Sequence, residues 1–166
     1  ILFESNAIAE FLDETVSPRL HPEDPIERAR NRAWTDFVSS FARALNGVYY
    51  TKTREEMEDG LAKAPKTIER LEEALTRQRD LNDGPYFNGP NLSLVDCAYA
   101  PFLQRFLIAD GYLRTGLLDN FPKVKKWADA LLSNETVNGA VAPEFLKEFE
   151  ESLRRRKFYV ASLLAN

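Results

Sequence analysis

Apolar residues recur every three or four positions along most of this chain, the spacing of amphipathic helices. The clearest stretch begins at Asp24-Pro25-Ile26-Glu27, which combines a favoured N-cap, a proline at the first helical position and a glutamate in the first turn. It predicts a long helix that reaches about Tyr50. A capping box, Thr53-Arg54-Glu55-Glu56, predicts a second helix, which Pro65 should kink or break near Ala64. We expect these two helices to pair antiparallel.

The most specific local signal lies further along, at Ser93 and Asp96. These two side chains can satisfy each other's backbone N–H groups as a capping box, so we interpret both as structural. The helix that follows is apolar nearly all round and must therefore be buried. We expect Pro101 to kink it and Asp110-Gly111 to end it.

The remaining pattern completes a helical fold. Further helices are predicted over residues 122–133, 135–141 and 143–157, and no segment after Glu14 alternates with a period of two. The predicted fold class is therefore mainly α, an all-α bundle around a central buried helix.

The first residues form a different kind of element. Ile1-Leu2-Phe3 is a short β-rich run that stops at Glu4 and Ser5 and leads into a predicted helix from Asn6 to Glu14, as in the last strand and helix of a βα unit. A helix N-terminus at such a corner suits an anion, because its free N–H groups and its dipole point at the ligand. The alternative is that Ser5 is only an N-cap and Glu4 only a favourable first-turn charge.

Composition narrows the function classes. The chain has 166 residues, 44% hydrophobic and 29% charged, with a formal net charge of −4, so nucleic acid is a poor candidate partner. No apolar stretch approaches the roughly 20 residues that cross a membrane. One histidine and one cysteine do not support a metal site, and no glycine-rich phosphate loop occurs. We expect a cytoplasmic protein, since a single cysteine excludes an internal disulfide.

Three isolated features have simple interpretations. Cys97 lies in the first turns of the buried helix, which predicts an inert core thiol. His21 lies in a proline-rich linker and is predicted to be on the surface. The basic run 154–157 is interpreted as a solvated face near a helix C-terminus, with an anion or partner contact as the alternative.

Three groups of residues, in order along the chain, resemble cytosolic glutathione S-transferases. They are Glu4-Ser5-Asn6-Ala7-Ile8 with Phe11-Leu12-Asp13-Glu14, Leu20-His21-Pro22-Glu23-Asp24-Pro25 with Glu27-Arg28-Ala29, and Ser93 to Asp96 followed by Pro101 and Arg105. Within the family, the spacing of the third group is most similar to the omega-like branch.

The resemblance implies a domain organisation. Residues 1–15 would be the end of a thioredoxin-like glutathione-binding domain, 16–24 a linker and 25–166 the all-α C-terminal domain. The family's catalytic Cys, Ser or Tyr lies early in the thioredoxin-like domain and has no counterpart in this chain. We therefore expect this polypeptide alone to be inactive.

The resemblance also implies ligands and site residues. Glutathione would be the co-substrate, with Glu4 and Ser5 at its γ-glutamyl end, and a small hydrophobic electrophile or disulfide would be the second substrate. Phe41, Tyr49 and Arg105 match substrate-facing positions, against the alternatives of core packing for Phe41 and an internal salt bridge for Arg105. No metal is implied.

A homodimer through the two long helices is expected by resemblance. Charged residues on these helices are compatible with pairing between subunits: Arg28, Arg32 and Arg43 on one, and Glu55, Glu56, Glu58 and Asp59 on the other.

Two other functions remain open at this point. One is a non-catalytic interaction module in a protein assembly, a use that all-α domains of this family also have. The other is a different glutathione-dependent enzyme on the same scaffold, such as an isomerase or a reductive dehalogenase.

Overall fold

The computed structural model describes residues 1–164 and is built from helices. They are α1 (Ser5–Thr15), α2 (Pro25–Tyr49), α3 (Arg54–Lys63), α4 (Pro65–Leu81), α5 (Leu94–Leu113), α6 (Pro122–Leu132), α7 (Glu135–Gly139) and α8 (Phe145–Arg155), with 3₁₀ helices at Leu117–Asn120 and Tyr159–Leu163. The described residues contain no strand, only an isolated bridge between Tyr86 and Gly89. The predicted mainly α fold is confirmed.

Helix α5 occupies the centre of the bundle. It packs against α2 on one side and α6 on the other, and α4 contacts both α2 and α6. Its side chains Val95, Tyr99, Leu103 and Phe106 have no exposed surface. The all-round apolar character of this segment therefore reflects contact on several sides.

The predicted helix starts at Asp24 and Ser93 are confirmed. At Thr53 only half of the predicted capping box forms, because the Glu56 carboxylate accepts from the N–H of Lys52 instead. Asp24 accepts hydrogen bonds from the backbone N–H groups of Ile26 and Glu27, both at 2.9 Å. The reciprocal box of Ser93 and Asp96 is complete at the start of α5. Because Pro65 cannot continue a helix that precedes it, the second predicted helix is divided into α3 and α4 at Ala64.

Two predictions of local structure are wrong. Helix α5 continues past Gly111 to Leu113 and ends where Arg114 adopts a left-handed conformation with φ 54°. At the other end of the chain, Ile1–Phe3 does not form the expected strand. A strand is stabilised by pairing with a neighbour, and none of residues 1–164 pairs with this segment.

Long-range contacts reinforce the bundle where no local cap exists. The N-terminus of α6 has no side-chain cap of its own, and the carboxylate of Glu72 on α4 accepts from the N–H groups of Lys123 (2.9 Å) and Val124 (2.8 Å).

Among residues 1–164, no helix has both the length and the apolar character needed to cross a bilayer.

Helices α2 and α3 come into close backbone contact at Gly47 and Gly60. A Cβ atom on Gly60 would lie 1.9 Å from the carbonyl oxygen of Gly47, far inside van der Waals contact. Only hydrogen at this position lets the two backbones pack together.

We expect Gly60→Ala to lower the free energy of unfolding by about 1–3 kcal/mol, because the methyl group forces α3 away from α2. Urea unfolding monitored by circular dichroism measures this. Gly111→Ala is the matched control, since a Cβ there meets nothing within 4 Å and should leave stability unchanged or slightly raised. Equal effects of the two substitutions would contradict the close approach.

Candidate functional site

A cavity of about 460 Å³ lies between the N-terminus of α1 and the facing surfaces of α2 and α5. We call it the N-terminal cavity. Glu4, Ser5 and Asn6 line one side, and Val38, Cys97 and Pro101 are among the residues on the other. The structure therefore brings the two predicted glutathione-binding residues together at one opening.

The backbone at this corner is arranged for an acceptor ligand. Glu4 has φ 66° and ψ 120°, a strained conformation for a residue with a side chain, and it occupies the N-cap position. Ser5 is the first helical residue, so the alternative that it is an N-cap is wrong. No side chain caps this terminus among the described residues, and its first N–H groups can bind an anion.

A second cavity, of about 710 Å³, lies between α5, α7 and α8. We call it the apolar cavity because most of its wall is hydrocarbon, from residues such as Leu92, Val137, Val141 and Phe145. Its volume is within the range of small-molecule sites. Periodicity alone did not reveal this cavity, because α7 is short and the cavity wall combines residues of α5 with residues about forty positions later in the sequence.

Arg105 provides the cation of the apolar cavity, with Glu144 and Glu148 also on its wall. Its Nη1 donates to the carbonyl of Pro101 at 2.9 Å, and its guanidinium lies 5.2 Å from the centre of the Phe145 ring. Within residues 1–164 it forms no ion pair, so the alternative of an internal salt bridge is not realised.

Cys97 and Pro101 line both cavities, which makes them the wall that the two cavities share. The prediction that Cys97 is a core thiol is wrong, because the residue is exposed. It points outward from α5 because its neighbours Val95, Asp96 and Tyr99 take the buried positions. Desolvation of the sulfur by the surrounding protein, followed by the charge of nearby Asp96, raises the pKa of the Cys97 thiol. A raised pKa does not favour the thiolate that a nucleophile requires.

The structure does not bring Phe41 and Tyr49 to the wall of either cavity. Phe41 is fully buried, with its ring centre 5.1 Å from that of Tyr99. Tyr49 is also buried, and its hydroxyl oxygen has no hydrogen-bond partner among the described residues. Burial raises the pKa of the Tyr49 phenol, and the charge of Arg105 opposes this increase. The substrate-facing role of both aromatic residues stays a prediction.

A polar cluster that the sequence did not reveal lies behind the N-terminal cavity. Its four residues are Glu10, Asp13, His21 and Arg32, and we call it the α1 tether. The Nε2 atom of His21 lies 2.7 Å from Oε1 of Glu10, and Arg32 contacts the other oxygen through Nε (3.0 Å) and Nη2 (2.6 Å). His21 is only 6% exposed, so its predicted surface position is wrong. The side chain that pairs with its ring is Glu10, 11 residues earlier, so no short sequence motif could have indicated the contact.

Metal ligands are not clustered at either cavity. Over the described part of the chain, no group of three or more His, Cys, Asp or Glu side chains could hold a metal ion.

Comparison with known proteins gives the family. The family model "Glutathione S-transferase, C-terminal domain" matches residues 54–130. Glutathione S-transferase U16 of Arabidopsis thaliana is 35% identical to this chain, over 97% of the chain and 71% of the relative. The chain belongs to the glutathione S-transferase family.

Other transferases support the assignment. Glutathione S-transferase U17 of Arabidopsis thaliana is 31% identical, over 87% of this chain and 65% of that relative. The chain thus spans about two thirds of the length of the curated transferases that it matches.

Solved transferases share the fold. The Tau class glutathione S-transferase of mango, Mangifera indica, superposes with a TM-score of 0.75 at 22% identity, over 92% of this chain and 71% of that one. Glutathione transferase Omega 3C of Trametes versicolor gives a TM-score of 0.68 at 28% identity, over 93% and 66%. The expected omega-like branch is not supported, since the two curated relatives described above are plant transferases of another kind.

We expect Glu10→Gln to loosen α1 near neutral pH and to have less effect in acid. Hydrogen bonding to Arg32, with a smaller contribution from His21, lowers the pKa of Glu10 below its ordinary 4.5. A lowered pKa means that the folded state binds fewer protons, so the stabilisation is complete above pH 4.5 and is lost as pH falls through the lowered value.

Hydrogen exchange of the α1 amides measures this at each pH as a ratio of variant to wild-type rates. The ratio should be about tenfold near neutrality, for a loss of about 1–2 kcal/mol, and should approach one well below pH 4.5. Glu14→Gln is the control, because Glu14 is exposed and approaches Arg32 only at 3.8 Å. A ratio that does not change with pH would contradict the charged contact.

Proposed function

We propose that this chain binds glutathione in the N-terminal cavity and a hydrophobic electrophile in the apolar cavity, as part of a glutathione transferase. The supporting observation is the wall that the two cavities share at Cys97 and Pro101, which places their ligands side by side. A transferase needs this adjacency, because the glutathione sulfur must reach the electrophilic atom of the second substrate.

Glu4 and Ser5 suit the γ-glutamyl end of glutathione. A carboxylate at Glu4 can pair with the ammonium group, and the Ser5 hydroxyl can donate to the carboxylate. The uncapped N-terminus of α1 supplies further N–H donors and the positive end of the helix dipole. The ammonium and carboxylate groups of the γ-glutamyl end would thus both find partners within one turn of helix.

The apolar cavity suits a small hydrophobic electrophile. Val137, Val141 and Phe145 offer hydrocarbon surface, and desolvation of a substrate there favours binding by roughly 25 cal/mol per Å² of apolar area. Arg105 is proposed as the polar group that orients the substrate, since no ion pair within residues 1–164 occupies its guanidinium. A disulfide substrate is the alternative within the same proposal.

We also propose the domain organisation implied by resemblance. Residues 1–15 belong to a glutathione-binding domain, 16–24 form the linker and 25–166 form the helical domain. The proposal is supported by where the apolar core lies. All of its residues fall between Trp34 and Ala161, and none of them belongs to α1.

Conjugation of glutathione to a chlorodinitrobenzene, measured by the absorbance of the product, tests the function. The assay uses the naturally occurring full-length polypeptide. Ser5→Ala should raise KM for glutathione by about tenfold or more, because one hydrogen bond to a charged group is lost. Val137→Trp should lower kcat/KM for the electrophile and leave KM for glutathione unchanged, because the larger side chain fills only the apolar cavity.

Ser133→Ala is the control for Ser5→Ala, since Ser133 is exposed and follows α6, outside both cavities. A full-length wild-type protein that neither binds nor conjugates glutathione would overturn the proposal. Such a result would favour a non-catalytic interaction module.

We further propose a homodimer through the exposed faces of α2 and α3. Two of the expected arginines are occupied within the chain, since Arg32 pairs with Glu10 and Arg28 donates to the carbonyls of Pro22 and Glu23. Arg43 is exposed and forms no ion pair in the described residues. It is therefore the remaining cation for a partner's acidic face.

Light scattering should give twice the mass of one chain, and Arg43→Glu should shift the equilibrium toward monomer. Salt should weaken the wild-type dimer, because exposed charge pairs are screened. Arg77→Glu, on the outer surface of α4, is the control and should leave the mass unchanged. A wild-type protein that scatters as a single chain at every concentration would contradict the dimer.

A further inference from the structure

Helix α1 carries Glu4 and Ser5 at its start, and few of its side chains are buried within residues 1–164. Asp13 is its only buried residue, and no α1 residue belongs to the apolar core. Its large apolar side chains Phe11 and Leu12 are about half exposed, at 48% and 50%. Within the described residues, the contacts of α1 with the linker and α2 are therefore mainly polar.

The α1 tether supplies most of these contacts. The two carboxylate oxygens of Glu10 have different partners, His21 in the linker at 2.7 Å and Arg32 on α2 at 2.6 Å. One oxygen of Asp13 accepts from the N–H groups of Leu20 (2.5 Å) and His21 (3.2 Å). The tether thus joins three segments of the chain, α1, the linker and α2.

Two further links join α1 to α2, a long contact of 3.8 Å between Glu14 and Arg32 and one nearer the helix start. There the Asn6 amide donates to the Asp36 carboxylate at 3.0 Å, between exposed side chains. An exposed contact of this kind contributes little by itself, since water competes for both groups. The tether is more protected, because Glu10 is 24% and His21 only 2% exposed at the side chain.

The tether also adjoins the site. Glu10 lines the N-terminal cavity together with Glu4 and Ser5, and it lies between one and two turns after them on the same helix. The opposite side of this cavity is formed by α2 and α5, which are fixed in the core. Because α2 and α5 belong to the core and α1 does not, a shift of α1 relative to them would change the width of the cavity.

We propose that Arg32 and His21 are positioning residues, which act through Glu10 to hold the N-terminus of α1 at the distance from α2 and α5 that glutathione requires. This inference rests on the proposed function and adds to it two residues outside the cavity. Arg32 fixes the position of the carboxylate along α2, since it binds one oxygen through two nitrogens. His21 fixes its orientation from the linker side.

The test uses Arg32→Gln in the full-length polypeptide. We expect KM for glutathione to rise about tenfold, while kcat at saturating glutathione stays within about twofold, because binding recovers the placement of α1. Arg32→Lys should restore part of the affinity. In a double-mutant cycle, Glu10→Gln and Arg32→Gln should be strongly non-additive, since both remove the same contact.

The matched control is Arg30→Gln. Arg30 lies on the same helix two residues earlier and is exposed, and its one ion pair within residues 1–164 is with Glu27 of its own helix. It should leave KM for glutathione unchanged. A general loss of helix stability would affect both variants alike, whereas the positioning role affects only Arg32→Gln.

A second measurement follows the helix itself. Spin labels at Ile8→Cys on α1 and Gly111→Cys on α5, in a Cys97→Ser background, report the distance between the two helices. Arg32→Gln should broaden this distance distribution, and glutathione should narrow it again. Arg30→Gln should leave it as in the wild type.

The outcomes separate the two proposals. If the wild type conjugates glutathione and Arg32→Gln has the same KM and the same distance distribution, the positioning role is wrong and the function stands. If the wild type neither binds nor conjugates glutathione, the proposed function is wrong and the glutathione role of the tether is wrong with it. A broadened distribution with unchanged KM also overturns the inference.

Discussion

The buried carboxylate of Asp96 is the interaction on which the rest of this structure depends. It has no exposed surface and accepts four hydrogen bonds, from the backbone and hydroxyl of Ser93, the backbone of Phe87 and the indole of Trp127. A buried charge is tolerated only when it is fully hydrogen-bonded, so these four donors must be in place. They join the start of α5 to the preceding loop and to α6. Because Cys97 and Pro101 follow within two turns, the same carboxylate also fixes the wall that the two cavities share.

The two sides of the N-terminal cavity are held by different physical forces. Close packing fixes α2 and α5, whose buried side chains include Phe41 and Tyr99 with ring centres 5.1 Å apart. Charged and hydrogen-bonded contacts fix α1, through Glu10 and its two partners. Packing resists displacement in every direction, whereas a few directional contacts restrict only some of them. Within the described residues, the α1 side of the cavity is therefore the side that the loss of a single contact can loosen.

Short-range patterning of the sequence predicted the structure correctly where the signal is contained within a few residues. The box of Ser93 and Asp96, the start at Asp24 and the break at Pro65 all follow from interactions between residues no more than four positions apart. It failed at the end of α5, where Gly111 suggested a stop but the helix continues to Leu113. Resemblance identified the glutathione S-transferase family correctly, yet the omega-like branch that it suggested is not supported. Motifs that are shared across a family do not separate its branches.

The amino-acid sequence by itself determined the helices, their starts and the buried character of α5, because helical periodicity and capping act within one or two turns. Only the tertiary structure decided the surroundings of individual side chains. His21 is buried because Glu10 and Asp13, 11 and 8 residues away, fold onto the linker. Cys97 is exposed because two cavities meet at its face of α5. Such positions depend on which helices pack together, and that information is distributed over the whole chain.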